Sequence, residues 1–276
     1  MITDNLSNAV FFSDLLPNRC PKLYESLHRI LNDKGIDNGL LSNTKDIWCR
    51  DYMPIQASDK HFVFYKFNPD YLQTPYYKRT ITDVNRIENI DSFRQGKWTD
   101  LDLVIDGGNV VKCDDKIIMT EKIFTENKDK KRNDIIRLLE KTFQCDVVFL
   151  PWDRNERFGH SDGIVHYIGD NRVLMTNYAD FDPNMARRFT NVLKKRVEVI
   201  PLMYNVKRKH QRSWAYINYL QIGKLVLVPQ LDLPEDEQAL QQIQEALPQC
   251  EVAGVLALEA VRRGGALNCI SWNAKT

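Results

Sequence analysis

One pattern constrains this chain more than any other. Helical periodicity, a short β-branched strand and an apolar hairpin follow one another in that order, several times over. In the middle of the chain, residues 133–143 (NDIIRLLEKTF) carry apolar side chains at helical spacing, and 147–151 (VVFLP) predict a buried strand. Residues 163–177 follow with two apolar runs around Gly169-Asp170-Asn171, a dense hairpin signal. The next copy runs through 185–195 and 197–202 to a hairpin over 216–229 that turns at Gly223-Lys224. A further copy has 236–247 and 252–258, then the segment that holds Cys269. Upstream, residues 108–120 predict another hairpin, turning at Asp114-Asp115. Helices are expected to start near residues 21, 82, 131, 184 and 236, the second from a weakly patterned stretch.

A single unit of this kind cannot bury its apolar face, so the copies must pack on one another. Five units that close around an axis also leave no exposed sheet edge. The expected fold is therefore α/β, a ring of five ββαβ-like units in a single domain over 1–276. The N-terminal strand near Ala9–Phe12 should close against the C-terminal segment. An ordinary α/β sandwich with recurring hairpins is the alternative that the pattern leaves open. No Ser/Gly-rich linker or low-complexity stretch divides the chain.

Charge and cysteine usage narrow the function. The 38 basic and 37 acidic residues nearly cancel, which argues against a nucleic-acid partner and leaves room for a small cationic one. The N-terminus has neither a basic leader nor an apolar run long enough for a signal peptide or a membrane span, so a cytoplasmic protein is expected. Cysteines stand at 20, 49, 113, 145, 250 and 269 with no CxxC pair. Neither a structural zinc site nor a disulfide framework is expected.

Four short stretches interrupt the apolar strand ends with glycine or polar residues: Trp48 to Pro54, Asp106-Gly107-Gly108-Asn109, Gly159 to Gly163, and Gly264 to Cys269. In a ring of repeats, equivalent hairpin ends converge on one mouth. Cys269 offers a nucleophile that works only as thiolate, and His160 a group that moves protons near neutral pH. Asp51, Asp106 and Asp162 are acceptors when ionised. Three carboxylates around one thiol raise its pKa, which is counterproductive unless the substrate brings positive charge. A planar guanidinium, whose donors fork to match carboxylates, is such a substrate. Taken singly, each stretch reads as a turn, an ion pair or packing, and His28, His61, His166 and His210 read as packing.

The order W-x-R-D-x-x-P, D-G-G-N, G-H-x-D and G-G-x-x-x-C resembles the agmatine deiminase and bacterial peptidyl-arginine deiminase family, from about residue 40 to the end. These guanidino-group-modifying enzymes have the five-bladed α/β-propeller (pentein) fold. The resemblance implies Cys269 as the nucleophile on the guanidinium carbon and His160 as the group that protonates departing ammonia and then activates water. It implies Asp51 and Asp162 as the grip on the guanidinium nitrogens, and no metal or organic cofactor. Asp106 matches a position usually held by a Glu that orients the histidine, and Asn268 one often held by His. The chain also lacks the family's longer N-terminal region. Trp48 is expected to border the substrate channel, or else to be packing. Other readings are a dimethylargininase- or amidinotransferase-like reaction, a non-catalytic binding protein of the same fold, and a cysteine peptidase. The substrate tail and a homo-oligomeric state stay open.

Overall fold

The computed structural model describes residues 1–87 and 96–276. Its strands, numbered in chain order, form five separate three-stranded sheets. The first joins β1 (Ala9–Ser13) and β2 (Asp37–Leu41) to β15 (Ser271–Ala274). The second holds β3 (Ile55–Ser58), β4 (His61–Lys66) and β5 (Lys97–Val104). The third holds β6 (Val111–Lys112), β7 (Lys116–Thr120) and β8 (Asp146–Leu150). The fourth holds β9 (Val165–Gly169), β10 (Arg172–Met175) and β11 (Glu198–Pro201). The fifth holds β12 (Leu220–Ile222), β13 (Leu225–Gln230) and β14 (Glu251–Leu256).

Every sheet repeats one arrangement: the middle strand is antiparallel to one neighbour and parallel to the other. A tight turn can make the antiparallel pair, but a parallel pair needs a long crossover. In four sheets that crossover is a helix: Pro21–Asp33, Arg132–Phe143, Pro183–Leu193 and Asp236–Ala246. Each buries a stripe spaced by four residues. The stripes are Leu23-Leu27-Leu31, Ile135-Leu139-Phe143, Met185-Phe189-Leu193 and, in the last helix, Ala239-Ile243 completed by Ala246. That spacing lays three side chains on one helical face, which packs on the unit's sheet. The second crossover differs. It holds a short helix, Pro75–Lys78, and a 3-10 turn, Val84–Arg86, while the rest of the helix expected from residue 82 falls outside the described residues.

The ring closes as the sequence predicts. β1 pairs antiparallel with β15, Ala9 opposite Ala274 and Phe12 opposite Ser271. The hairpin at Gly169-Asp170-Asn171 has positive φ at all three residues (88°, 51° and 57°), a conformation that Gly, Asn and Asp tolerate. The fold is the five-bladed pentein propeller and not a sandwich. Among the described residues, no helix is long and apolar enough to cross a membrane.

Candidate active site

Each unit feeds its antiparallel outer strand through a short turn. The turns are Cys49–Tyr52 before β3, Gly107–Asn109 before β6, Ser161–Gly163 before β9, Ser213–Ile217 before β12, and the bend ending at Cys269 before β15. Consecutive turns touch around the ring, and the last gap is bridged by Asn268 N–H donating to the Asn218 carbonyl at 3.1 Å. One turn from each unit therefore delivers its polar side chains to a common centre. Asp51, Asp106, His160 with Asp162, Asn218 and Cys269 meet there.

His160 is the hub. Its Nε2 lies 2.8 Å from Asp106 Oδ2, and its Nδ1 lies 3.6 Å from Asp51 Oδ1. Asp106 thus reaches the imidazole although its side chain is one methylene shorter than the Glu expected there. Close backbone approach makes up the difference. A Cβ on Gly108 would stand 2.6 Å from His160 Nδ1 and 2.7 Å from Asp51 Oδ1, and one on Gly107 would strike the Arg50 carbonyl. Gly108 N–H also donates to Asp51 Oδ1 at 3.2 Å. Before the histidine, Gly159 takes φ +66° with Lys122 and Trp152 packed too closely for a side chain.

Cys269 stands against Asp162, its Sγ 3.8 Å from Oδ2. The same oxygen accepts Nδ2–H from Asn268 at 2.8 Å and from Asn218 at 3.1 Å. Asn218 Oδ1 in turn accepts the Cys269 backbone N–H at 3.2 Å. One asparagine therefore fixes both the carboxylate and the thiol. Asn268, where the family often has His, serves as a donor to Asp162. Arg50 braces the loop from behind, its N–H donating to the Cys269 carbonyl and its Nε to the Asn268 carbonyl.

The electrostatics follow from burial and the acids. Burial pushes the Cys269 thiol well up, and Asp162 and Asp51 push it further. Burial would lower His160, but Asp51 and the bond to Asp106 outweigh it and raise the imidazole to about 10. Burial raises Asp51 to about 7 against the pull of His160. Asp162 is also raised by burial. Asp106, although buried, is held down by its bond to His160.

Cys269, His160, Asp162 and Asn218 all line one cavity of about 560 Å³. Asp51 and Asp106 are buried behind His160 and do not form its wall. Trp48 is not on that wall either. Its half-buried ring lies over Gly265, where any Cβ would clash, and packs with the apolar core. Of the six cysteines only Cys269 meets the cavity; burial pushes Cys49 and Cys113 up to about 12. Among the described residues no group of three or more His, Cys, Asp or Glu could hold a metal ion.

Two contributors escape a reading by residue type. Asn218 sits in an apolar stretch with no glycine or charge beside it, and only its place at the start of the fifth unit marks it. Lys122 Nζ, fully buried, lies 3.4 Å from Asp106 Oδ2, and nothing in the sequence separates it from a surface lysine.

Residues 26–274 match the family of Porphyromonas-type peptidyl-arginine deiminases. A Listeria monocytogenes protein provisionally named agmatine deiminase 2 is 21% identical over 82% of this chain and 73% of its own. The agmatine deiminase of C. jejuni superposes with a TM-score of 0.79 at 16% identity, over 99% of this chain and 95% of that one. DDAH from Pseudomonas aeruginosa, solved as a mutant with citrulline, superposes with a TM-score of 0.64 at 12% identity, over 97% and 99%.

Proposed function

The chain belongs to the Porphyromonas-type peptidyl-arginine deiminase family, and from that premise we propose that it is a guanidine deiminase, a hydrolase of C–N bonds with Cys269 as its nucleophile. One observation carries the reading. The only cysteine on the cavity stands 3.8 Å from a carboxylate that two asparagines orient, with a carboxylate-bound imidazole on the same wall.

The thiol is pushed up in the unliganded site despite the charged His160, and a guanidinium held at Asp162, with Asp51 adding its charge from behind His160, reverses the balance. The thiol proton then passes to solvent, and the thiolate bonds to the guanidinium carbon. Collapse of the tetrahedral adduct breaks the bond to one terminal nitrogen, which takes a proton from His160 and leaves as ammonia. His160, charged in the free site and now neutral, accepts a proton from water as that water adds to the carbon. The C–S bond breaks, the hydroxyl proton passes to the departing sulfur and restores the thiol, and a neutral ureido product remains. Asp106 keeps Nε2 engaged throughout.

The cavity also bears on the substrate tail. Asp153, Glu156 and Asp182 lie along it beside Trp152, Tyr178 and Trp214, and among the described residues no lysine or arginine lines it. Such a wall favours a tail without a free carboxylate. The test is ammonia and ureido product from a panel that includes agmatine, arginine and arginine amide, with Cys269→Ala as control. Arginine amide should exceed arginine in kcat/KM by at least about tenfold, the order of one charge–charge interaction near the surface. A folded wild-type protein that forms no ureido product from any guanidine would end the deiminase reading. Release of an alkylamine in place of ammonia would move it to the dimethylargininase-like reaction.

A further inference from the structure

We infer that Lys122 is a positioning residue for His160, acting through Asp106, and that Glu126 sets how strongly it acts. The inference rests on reading His160 as the proton carrier of the site, and it concerns a lysine that never reaches the substrate cavity.

The geometry is specific. Two cationic donors converge on a single oxygen, Asp106 Oδ2, with His160 Nε2 at 2.8 Å and Lys122 Nζ at 3.4 Å. Lys122 has no exposed surface, and its Nζ is also 2.9 Å from Glu126 Oε1 and 3.2 Å from Asp70 Oδ1. The Tyr71 ring closes the remaining side, its centroid 4.6 Å from Nζ. The stem of Lys122 does a second job: its Cδ would stand 2.7 Å from a Cβ on Gly159, so it underlies the residue before His160. A buried lysine costs free energy unless its charge is used. This one meets carboxylates on three separate segments, so the fold holds it charged behind the acid that holds the histidine.

The consequence has a sign. Asp106 offers one oxygen to two cations. Charge that it spends on Lys122 is not spent on the imidazole. Lys122 therefore weakens the hold of Asp106 on the His160 proton. His160 also faces Asp51, Asp162, the Cys269 thiol and Tyr71; with all the acids ionised, the imidazole would be locked in its charged form without a counter-charge. Glu126, buried against Lys122 and raised by burial and by Asp106 to about 7, pulls the opposite way. Removing the lysine charge should raise the His160 pKa, and removing the glutamate charge should lower it. A purely structural role gives no such pair of opposite shifts.

The experiment follows the imidazole of His160 by NMR in isotope-labelled full chain, with His160→Gln to identify its resonance among the five histidines. Lys122→Met should move the titration up and Glu126→Gln should move it down, each by about one unit, the lower end for a charge a few ångströms away. Lys122→Arg, which keeps the charge, should stay near wild type. The base limb of the pH profile of kcat/KM should shift in the same directions. Shifts of the same sign in Lys122→Met and Glu126→Gln, or none, overturn the proposal. If Lys122→Met does not fold, Glu126→Gln decides alone, and an unmoved titration there overturns it. The NMR arm needs no turnover, so a chain that released no ammonia would sink the deiminase reading while the role of Lys122 was still decided.

Discussion

Cys269 is the one cysteine on the cavity, and burial and its acidic neighbours hold the thiol in its neutral form. That makes charge at Asp51 and Asp162 the variable to test. Asp51 is raised by burial to about 7. A bound guanidinium stabilises its ionised form, so binding below that value must expel a proton. Affinity for arginine amide in a Cys269→Ala background should therefore rise by up to about a hundredfold from pH 5 to pH 8, about tenfold for each pH unit below 7, then level off. Calorimetry in two buffers should register the released proton at the acid end, and a pH-independent affinity would refute this account of Asp51. Asp162→Asn removes a charge-assisted bond worth about 1.5–3 kcal/mol. In the wild-type background it should lower kcat/KM roughly tenfold to a hundredfold. Alkylation of Cys269 by iodoacetamide should persist in that variant or quicken, because losing a negative neighbour lowers the thiol pKa. Slower alkylation would show that Asp162 activates the thiol directly.

At the scale of elements, the turns are the parts that the chemistry leans on. Gly108 belongs to the 3-10 turn Gly107–Asn109, and any Cβ there collides with His160 and Asp51. Gly163 ends the next such turn and has open space around its Cβ position. Gly108→Ala should therefore lose activity by at least about a hundredfold, as a small misplacement of catalytic groups does. Gly163→Ala should keep most of it. Equal losses in the two would mean that the turns matter only for folding. The helices were the most readable elements, because four starts expected at 21, 131, 184 and 236 correspond to observed starts at 21, 132, 183 and 236. Their four-residue stripes are a strong local signal that packing merely completes. The strand-entry turns were readable only where glycine or charge marked them, at Trp48 to Pro54, at Asp106 to Asn109, at Gly159 to Gly163 and before Cys269. Asn218 carried no such mark, although the repeat itself provides its address. Trp48 was drawn into the site by its motif, yet the bare Gly265 backbone beneath it makes a packing surface for its ring.

Across the whole molecule, the buried apolar side chains of the described residues fall into four clusters, the first of them shared by the first and fifth units, and polar contacts near the C-terminus add to the closure. Asn273 on β15 accepts from the buried Arg50 at 2.7 Å and donates to the Gln221 carbonyl at 2.9 Å. It thereby ties the first unit to the second and the fifth. Trp272 adds a bond from Nε1 to the Pro54 carbonyl at 2.9 Å. Arg50 in turn braces the carbonyls of Asn268 and Cys269, so the closure and the proposed nucleophile share one support. Asn273→Ala should leave Arg50 short of an acceptor in a buried place, destabilising by about 2–4 kcal/mol. Leu139→Ala, in the helix of the third unit, should destabilise by a similar 2–5 kcal/mol or so through a cavity far from the thiol. The two should part company in function. Measured well below both unfolding midpoints, Leu139→Ala should keep the wild-type kcat, while Asn273→Ala should lower it and change the rate of Cys269 alkylation. Equal kcat in the two variants would mean that the ring is held shut without any bearing on the nucleophile. The bond network argues otherwise, because Arg50 donates both to Asn273 and to the carbonyls of Asn268 and Cys269.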